Sequence, residues 1–586
     1  MTGASAPASA PIGNPVLPHL AHHAFWPEGV PHTIPLVEQT IWENLQATVA
    51  RGPDRDALVF FGHHITYGEL FAQAERMAAW LEQVAQVRPG DRVMLMMQNS
   101  PQFVIASYAI LRLRGVVVPV NPMTRALELP HYFSDAGLKV AIVGAELAGE
   151  VIKANDRDDG GQLEHLLVAR YADMIPADAG EFAPPQAWQA WLDGGSLPEP
   201  ARDISVTAWQ QADQLARTLP PLSAYAGKAT EQVALCYTSG TTDRPKGCMH
   251  THQTIGHNIV GGSIWSTATS QDDVSLSVVP MFHITGMLYA MHSLIYIGSR
   301  SVIMPRWDRA LAGRLISHYK VTNWTNIPTM VIDLLGSPEI KQFDLSSLRQ
   351  IGGGGAAMPE AVAKHLFDTF GLRYQEGYGL TETAAPSHSN PFARPKRQCL
   401  GIPVIGTDSR IVDPETLAEL PTGETGEIVI SGPQVFKGYW RNEQATAEAF
   451  FELDGKTFFR TGDLGRRDEE GYYFITDRLK RMINASGFKV WPAEVESLLY
   501  RHPAIREACI IASRDPYRGE TVKAVIVLKE DAADTTAEQV QEWARENMAA
   551  YKVPRLVQFT DQLPKSGSGK VMWRALQEAE MASADS

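Results

Sequence analysis

YTSGTTDRPKG, residues 237–247, is the stretch on which the reading of the fold turns. It follows the short apolar run VALC at 233–236, so a strand runs into a loop dense in Ser, Thr and Gly that carries Lys246. Gly240 and Gly247 admit positive φ, which lets successive backbone N–H groups turn inward as an anion-binding nest. The spacing is not that of a Walker A loop, where Gly-Lys is followed by Ser or Thr, because Lys246 here precedes Gly247. Taken alone, a generic loop of Ser, Thr and Gly reads more readily as a solvated turn between two elements.

Working outward, the flanking chain alternates strands and helices. Thr66-Tyr67 introduces a helix whose Phe71, Ala74, Met77, Ala78, Leu81 and Val84 recur at helical spacing. Pro89-Gly90 turns the chain into a strand at 92–97, a helix follows from about Pro101, and 116–120 reads as a buried strand. Alternation resumes at 233–239, 275–280, 301–305 and 348–351, and the glycine run at 352–355 opens a helix with Pro359 at its first position. This pattern predicts a largely parallel, helix-flanked sheet and so the α/β class. Strands dominate from 410 to 476. Residues 145–230 read as surface elaboration and residues 1–32 as a loose leader. Near Lys480 a smaller mixed pattern begins: helix 492–501, strands 508–512 and 522–528, and a helix under the capping box Thr535 and Glu538. The expected organisation is a leader (1–32), a large N-terminal domain (33–479) of helix-flanked sheets with a β-rich subdomain, and a small mobile α+β C-terminal domain (480–586) hinged near Lys480.

The 586 residues are 44% hydrophobic and 20% charged, enough for more than one core. A net charge of −14 argues against a nucleic-acid binder with a broad basic face, and means that an anionic substrate must be drawn in by local cations. Four scattered cysteines, none in a C-x-x-C pair, fit a reducing compartment and offer no metal site. No Lys or Arg precedes Arg51, which disfavours secretory and mitochondrial leaders. The most apolar run, 104–120, is broken by Arg112, Arg114 and Gly115 and does not read as a membrane span. A cytoplasmic protein is expected.

Further stretches carry chemistry. PMFHITG (280–286) sets His283 after a strand, GGGA (353–356) is a run of small residues, and QEGYGLTE (375–382) combines glycines with Tyr378 and Glu382. RTGDL (460–464) and DRLK (477–480) offer Asp463, Arg478 and Lys480, whereas SGFK (486–489) and PKSGSGK (564–570) are short glycine-containing stretches that each end in a lysine. Each has a bland alternative: a satisfied core histidine, a core aromatic, a helix-start carboxylate, solvated surface charge, a basic tail.

Together and in this order, over about residues 40–575, they resemble the adenylate-forming enzymes: acyl-CoA synthetases, luciferases and peptide-synthetase adenylation domains. The whole chain looks most like bacterial fatty-acid-CoA ligases. The resemblance implies that Thr238, Ser239, Gly240, Thr241, Thr242 and Lys246 cradle the phosphates of ATP. Gly354, Gly355 and Ala356 would flank the adenine edge, and the segment Glu376, Gly377, Tyr378 and Gly379 would complete the nucleotide pocket, with Tyr378 stacked on adenine. Thr381 would bond the α-phosphate, and Glu382 with Thr238 would hold Mg²⁺, a cation that takes oxygen ligands. Asp463 would clamp the ribose hydroxyls, with Arg478 assisting. Lys480 would be the hinge, and Ser486, Gly487 and Lys489 would turn toward CoA after a domain rotation. Lys570 would bridge the substrate carboxylate and the α-phosphate. His283 would line and gate the acyl side; at Met287, where some relatives carry a Trp gate, this chain departs. The implied catalytic set is Lys570, Thr238, Glu382 and His283.

The function expected from this resemblance is ATP-dependent acyl-CoA synthesis on a medium- or long-chain fatty acid, with ATP, Mg²⁺ and CoA. An aryl-acid ligase and an acyl-AMP ligase that loads a carrier protein are alternatives; no carrier domain is seen to follow in the 586 residues, which favours a free thiol acceptor. A catalytically silent nucleotide-binding protein is a third reading, opposed by the intact Lys, Glu and Asp of every motif. The expected partners are small molecules and no nucleic acid. Peripheral membrane contact for a lipid substrate and a homodimer are carried as further expectations.

Overall fold

The structure, a computed structural model, describes residues 18–158, 160, 163–196, 199, 204–238, 245–266, 269–354, 358–478, 481, 483–485, 488–490, 492–515, 519–548, 551–566 and 570–584. The mixed α/β architecture rests on two large, mostly parallel sheets. A seven-stranded sheet runs, in spatial order, Ser205–Ala208, His165–Ala169, Val140–Gly144, Arg92–Met96, Val116–Pro119, Gln232–Thr238 and Lys246–Thr251. Its strands are near-continuous apolar runs, as expected of parallel strands covered on both faces. Pro101–Arg112 packs on its strands Arg92–Met96 and Val116–Pro119, and Tyr67–Gln83, which packs on Pro101–Arg112, is started by a capping box between Thr66 and Glu69 that is worth about 1 kcal/mol.

Residues 145–230 do more than elaborate the surface. His165–Ala169 and Ser205–Ala208 are strands of this sheet, and Trp209–Ala216 packs on Tyr67–Gln83 with Arg76 Nε donating to Asp213 at 2.7 Å. The run HLLVA is short and its flanks are rich in Pro and Gly, so the strand signal is weak in sequence.

The nine-stranded sheet orders Ile402–Pro403, Ala385–Ser389, Tyr374–Leu380, Gln350–Gly353, Asn323–Asn326, Val274–Ser277, Arg300–Ile303, Asp56–Phe60 and His63–Thr66. Its central strands are parallel and in step: Asn323 faces Gln350, Asn326 faces Gly353, and Gly353 faces Glu376. Their carboxyl ends therefore lie together, the usual place for a ligand crevice in an open α/β sheet.

A β-rich subdomain follows, with Asp408–Val412, Gly426–Ser431, Lys456–Arg467 and Phe450–Leu453 in order and Tyr473–Arg478 paired to Lys456–Arg467. A C-terminal sheet of Phe488–Val490, Ile483–Ala485, Gly519–Leu528 and Ile505–Asp515, with Leu556–Phe559 added parallel to Gly519–Leu528, carries the helices Pro492–Leu499, Ala537–Asn547 and Trp573–Ala584. The cap of Ala537–Asn547 is Thr536 with Gln539, one residue later than the sequence reading, because the Thr535 hydroxyl donates to the Ala532 carbonyl instead. Pro359 likewise precedes the helix Glu360–Phe370 as its cap and is not its first residue.

The expectation of a loose leader to residue 32 does not hold for residues 18–32. Pro18–Phe25 is a short 3₁₀ helix with His22 buried, and Phe25, Trp26 and Val30 pack against Trp265, Ile402, Ile405 and Tyr472. Among the described residues no helix is long and apolar enough to cross a membrane.

Candidate active site

The strand Gln232–Thr238 and its antiparallel partner Lys246–Thr251 put Thr238 opposite Lys246. Ser239, Gly240, Thr241 and Thr242 lie outside the described residues. The segment 436–440 runs beside this hairpin: the backbone N–H of Trp440 donates to the Gly247 carbonyl (2.8 Å) and that of Lys437 to Met249 (2.9 Å). It brings Tyr439 between two expected ligands. The ammonium of Lys246 sits 5.0 Å from the Tyr439 ring centroid, and the Tyr439 hydroxyl donates to Glu382 Oε1 at 3.0 Å. Burial first and the Glu382 carboxylate second push the phenol pKa up, so the proton stays on Tyr439. The backbone N–H of Phe436 also donates to the Glu382 carbonyl at 2.8 Å.

Thr381 is held from the other side. His250 Nε2 bonds the Thr381 carbonyl at 2.7 Å, and burial lowers the His250 pKa to about 4, so the ring is a neutral donor. Asn258 Nδ2 reaches the carbonyls of Thr383, Ala384 and Pro386 at 2.9–3.1 Å. Tyr439, His250 and Asn258 belong to none of the motifs read from sequence. They act through tertiary contacts, and the only local hint is the turn at Gly438, whose φ of 124° precedes the aromatic pair Tyr439-Trp440.

The structure brings Tyr378 and Asp463 into direct contact, with the phenol donating to Asp463 Oδ2 at 2.7 Å. Asp463 faces Arg478 across paired strands. Arg460 braces their turn through Glu427, whose Oε2 accepts from Arg460 Nη2 at 2.7 Å while Oε1 accepts the Gly462 N–H at 3.0 Å. Gly353 and Gly354 form a shelf beside this pair. A Cβ on Gly353 would overlap the Asn326 carbonyl oxygen, and one on Gly354 would meet the Gly377 carbonyl, so the strands approach too closely for any side chain. Gly355 and Ala356 are outside the described residues.

Glu376 departs from the nucleotide-facing role. Its buried carboxylate accepts the backbone N–H groups of Met358 (2.7 Å) and Cys399 (2.9 Å), so the side chain anchors the loops behind the shelf, and burial raises its pKa.

A cavity of about 910 Å³ opens beside Tyr378 and the glycine shelf. It is lined by Gly352–Gly354, Gly377–Gly379, His283 and Lys570 at one end. Lys570 reaches it on a hairpin closed by the Ser566 N–H to Lys570 carbonyl and Met572 N–H to Pro564 carbonyl bonds, both 2.8 Å. His283 caps a short helical turn, its Nδ1 accepting from the Thr285 N–H at 3.3 Å. Burial, and then the charge of Lys570, lower its pKa to about 4. His283 is therefore neutral at pH 7, with its proton assigned to Nε2. After it the chain makes a π-helical turn, Met287–His292, which with Ser293–Ile297 puts Tyr289, Ser293, Leu294 and Ile297 on the cavity wall; Met287 is buried.

The far end follows from strand register. Asn323 and Gln350 lie three residues before Asn326 and Gly353, about 10 Å away along the sheet. The helix His252–Trp265 roofs this course, with Gly261 and Gly262 lining it, and Gln350 Nε2 donates to Ser266 Oγ at 2.7 Å at its end. Lys480, Ser486 and Gly487 fall outside the described residues. The backbone of Lys489 lies in the strand Phe488–Val490.

A glycine shelf, a carboxylate–phenol pair and a lysine that reaches the same cavity are features expected of an adenylate-forming enzyme. A family profile described as "AMP-binding enzyme" matches residues 45–440, and one described as "AMP-binding enzyme C-terminal domain" matches 494–570. The chain belongs to the AMP-binding enzyme family and to its acyl-CoA ligases. It is 35% identical to the long-chain-fatty-acid–CoA ligase of Bacillus subtilis, over 95% of this chain and 97% of that one. A feruloyl-CoA synthase of an Amycolatopsis species is 33% identical over 89% and 95%. The solved structure of the anthranilate CoA ligase AuaEII with anthranoyl-AMP aligns with a TM-score of 0.79 and 25% identity, over 94% of this chain and 99% of that one.

Proposed function

We propose that the enzyme converts a medium- or long-chain fatty acid to its CoA thioester through an acyl-adenylate. In the first half-reaction a carboxylate oxygen attacks the α-phosphorus of ATP; the bond from that phosphorus to the bridging oxygen breaks and pyrophosphate leaves with the electron pair. In the second, the CoA sulfur attacks the acyl carbon, the carbon–oxygen bond to AMP breaks, and the thiol proton passes to solvent. The observation that carries this reading is the single cavity that joins Lys570 and the Gly352–Gly354 shelf to a course about 10 Å long beneath His252–Trp265.

The residues divide the work in ways their surroundings support. Lys246 and Lys570 offset the negative charge that builds when carboxylate meets triphosphate. Tyr378 and Asp463 fix adenine and ribose. Neutral His283 donates from Nε2 toward the acyl side and is too weakly basic to remove a proton at pH 7. The Glu382 carboxylate and Thr238 hydroxyl form an all-oxygen donor set that suits Mg²⁺, which would neutralise phosphate charge there. Among the described residues no three His, Cys, Asp or Glu side chains cluster for a metal, so the remaining ligands would come from phosphates and water. Turning Lys570 out and Lys489 in would let one site serve both half-reactions.

An aryl acid is the second reading, favoured by the polar far end, where Ser266, Thr269, Asn323 and Gln350 would meet a ring substituent better than a terminal methyl. A panel of C4 to C18 acids and cinnamates, assayed for pyrophosphate release with and without CoA, tests both. Exclusive turnover of cinnamates would replace the fatty-acid reading, and equal turnover without CoA would point to another acceptor.

A further inference from the structure

The packed N-terminal strap, residues 25–32, lies directly behind the cavity wall. Trp265 closes the roofing helix and lines the far end of the cavity. Its indole N–H is buried and makes no hydrogen bond among the described residues, so packing alone sets the angle of the ring. The ring that packs on it is Trp26, edge-on at 5.0 Å between centroids and 90° between planes. Trp26 is in turn fixed, because its Nε1 donates to the Val30 carbonyl at 2.8 Å and closes the strap into a turn. A second tie runs from the Gly406 N–H to the His32 carbonyl at 2.8 Å, next to Ile405, another cavity-lining residue. Phe392, also on the wall, packs in the same apolar cluster as Phe25, Trp26 and Val30. Three wall positions on three separate segments thus share one backing, supplied by a part of the chain remote in sequence.

The roofing helix itself leaves room one turn before Trp265. Gly261 meets only the Ile405 side chain at 3.9 Å where a Cβ would stand, and Gly262 meets nothing within 4 Å. The polar floor formed by Ser266 with Gln350 and Thr269 is closed by 2.7 Å hydrogen bonds on both sides. The far end can therefore widen most readily where Trp265 stands, and only if its backing yields.

We infer that the strap sets the reach of the acid cavity, with Trp26 a positioning residue that decides, through Trp265, how long or broad an acid is accepted. This rests on the reading that the acid occupies the cavity. Trp26 touches neither the nucleotide shelf nor Lys570, so its effect falls on the acid alone. Loosening Trp265 admits acids that the closed wall excludes, whereas shorter acids, which stop before it, are indifferent.

The test is Trp26→Ala in the full chain, with kcat/KM measured by pyrophosphate release across C6 to C18 acids and cinnamates. The expected result is a rise of about five- to tenfold in the ratio of the longest or broadest acids to the shortest accepted one, with KM for ATP unchanged. Trp26→Phe, which keeps an aromatic edge against Trp265, is expected to restore most of the parental profile. Should the alanine variant not yield soluble enzyme, Trp26→Leu keeps apolar volume without the ring contact and is expected to give the same shift. A parallel loss for every acid, or an unchanged profile, overturns the inference. Failure of the parental enzyme to turn over any acid of the panel would instead overturn the proposed function.

Discussion

Tyr439→Phe isolates one hydroxyl between the phosphate loop and the carboxylate expected to hold Mg²⁺. The ring stays, so its 5.0 Å contact with the Lys246 ammonium is kept; what is lost is the 3.0 Å bond to Glu382 Oε1. A hydrogen bond to a charged acceptor is worth about 1.5–3 kcal/mol, and Tyr439 is half-buried, so solvent replaces part of it; about 1.5 kcal/mol is the expected loss. If that energy orients Glu382 for the metal, adenylation slows about tenfold and its Mg²⁺ dependence moves to higher concentration. The assay is exchange of labelled pyrophosphate into ATP at a series of Mg²⁺ concentrations, beside thioester formation from supplied acyl-AMP. The second half-reaction does not use the pyrophosphate-bound metal and should be spared. An exchange rate and Mg²⁺ curve within twofold of the parent would refute the assignment of Tyr439 and weaken that of Glu382. Equal loss in both half-reactions would show that the hydroxyl only maintains the fold.

Three other outcomes are expected. Lys570→Ala should abolish pyrophosphate exchange yet leave thioester formation from supplied acyl-AMP intact; equal loss of both would remove Lys570 from the adenylation step. Gly262→Phe points a ring into open cavity space and removes a helical glycine, so it should reject long acids while keeping short ones, with thermal stability unchanged or slightly raised; an unaltered acid profile would displace the acid from this course. Burial holds His250 and His283 near pKa 4, and His22, His252, His292 and His388 near 3. The unfolded chain binds these protons near pH 6.5, so it holds more protons than the native state from about pH 6.5 down to about 3. The stability that these neutral imidazoles provide is complete above that window and is lost as pH falls through it. Melting temperature followed from pH 7.5 to 4.5 should fall progressively, and a flat profile would contradict the burial of these rings.

What could be read in advance was whatever is local. The small residues at 353 and 354, the strand that runs into the loop after 237 and the helix introduced at Thr66-Tyr67 follow from backbone needs that a few neighbouring residues express. Glu376 shows where that reasoning stops: its motif position suggests a ligand, but the carboxylate is drawn inward by two N–H groups, one 23 residues along the chain. Tyr439, His250 and Asn258 were illegible for the same reason, since each matters through a contact made only when two sheets and the β-rich subdomain come together. The packing of residues 18–32, which include the strap, was hidden by composition. Their Ala, Pro and His content reads as disorder, yet Phe25, Trp26 and Val30 suffice to anchor them once Trp265 and Tyr472 offer a surface.

The electrostatic problem of the proposed reaction explains why the site holds so few acids and bases. A carboxylic acid with an ordinary pKa near 4 is already ionised at neutral pH, so no base is needed to make the nucleophile. What opposes reaction is the approach of that anion to a polyanionic phosphate, in a chain whose net charge is −14. Local cations and neutral donors answer that need, and additional carboxylates or an easily deprotonated histidine would not. His283 is accordingly neutral, its pKa pressed down by burial and by Lys570, and His250 is a neutral donor bound to the Thr381 carbonyl. Glu382, the acidic side chain proposed to work at the phosphate end, is bonded to Tyr439, itself beneath Lys246. Removing the charge of Lys246 while keeping its length, as in Lys246→Met, should therefore slow pyrophosphate exchange while acid selectivity stays fixed. A change in which acids are accepted would mean that the phosphate end and the acid end are not separable, and that the division of labour argued from this cavity is mistaken.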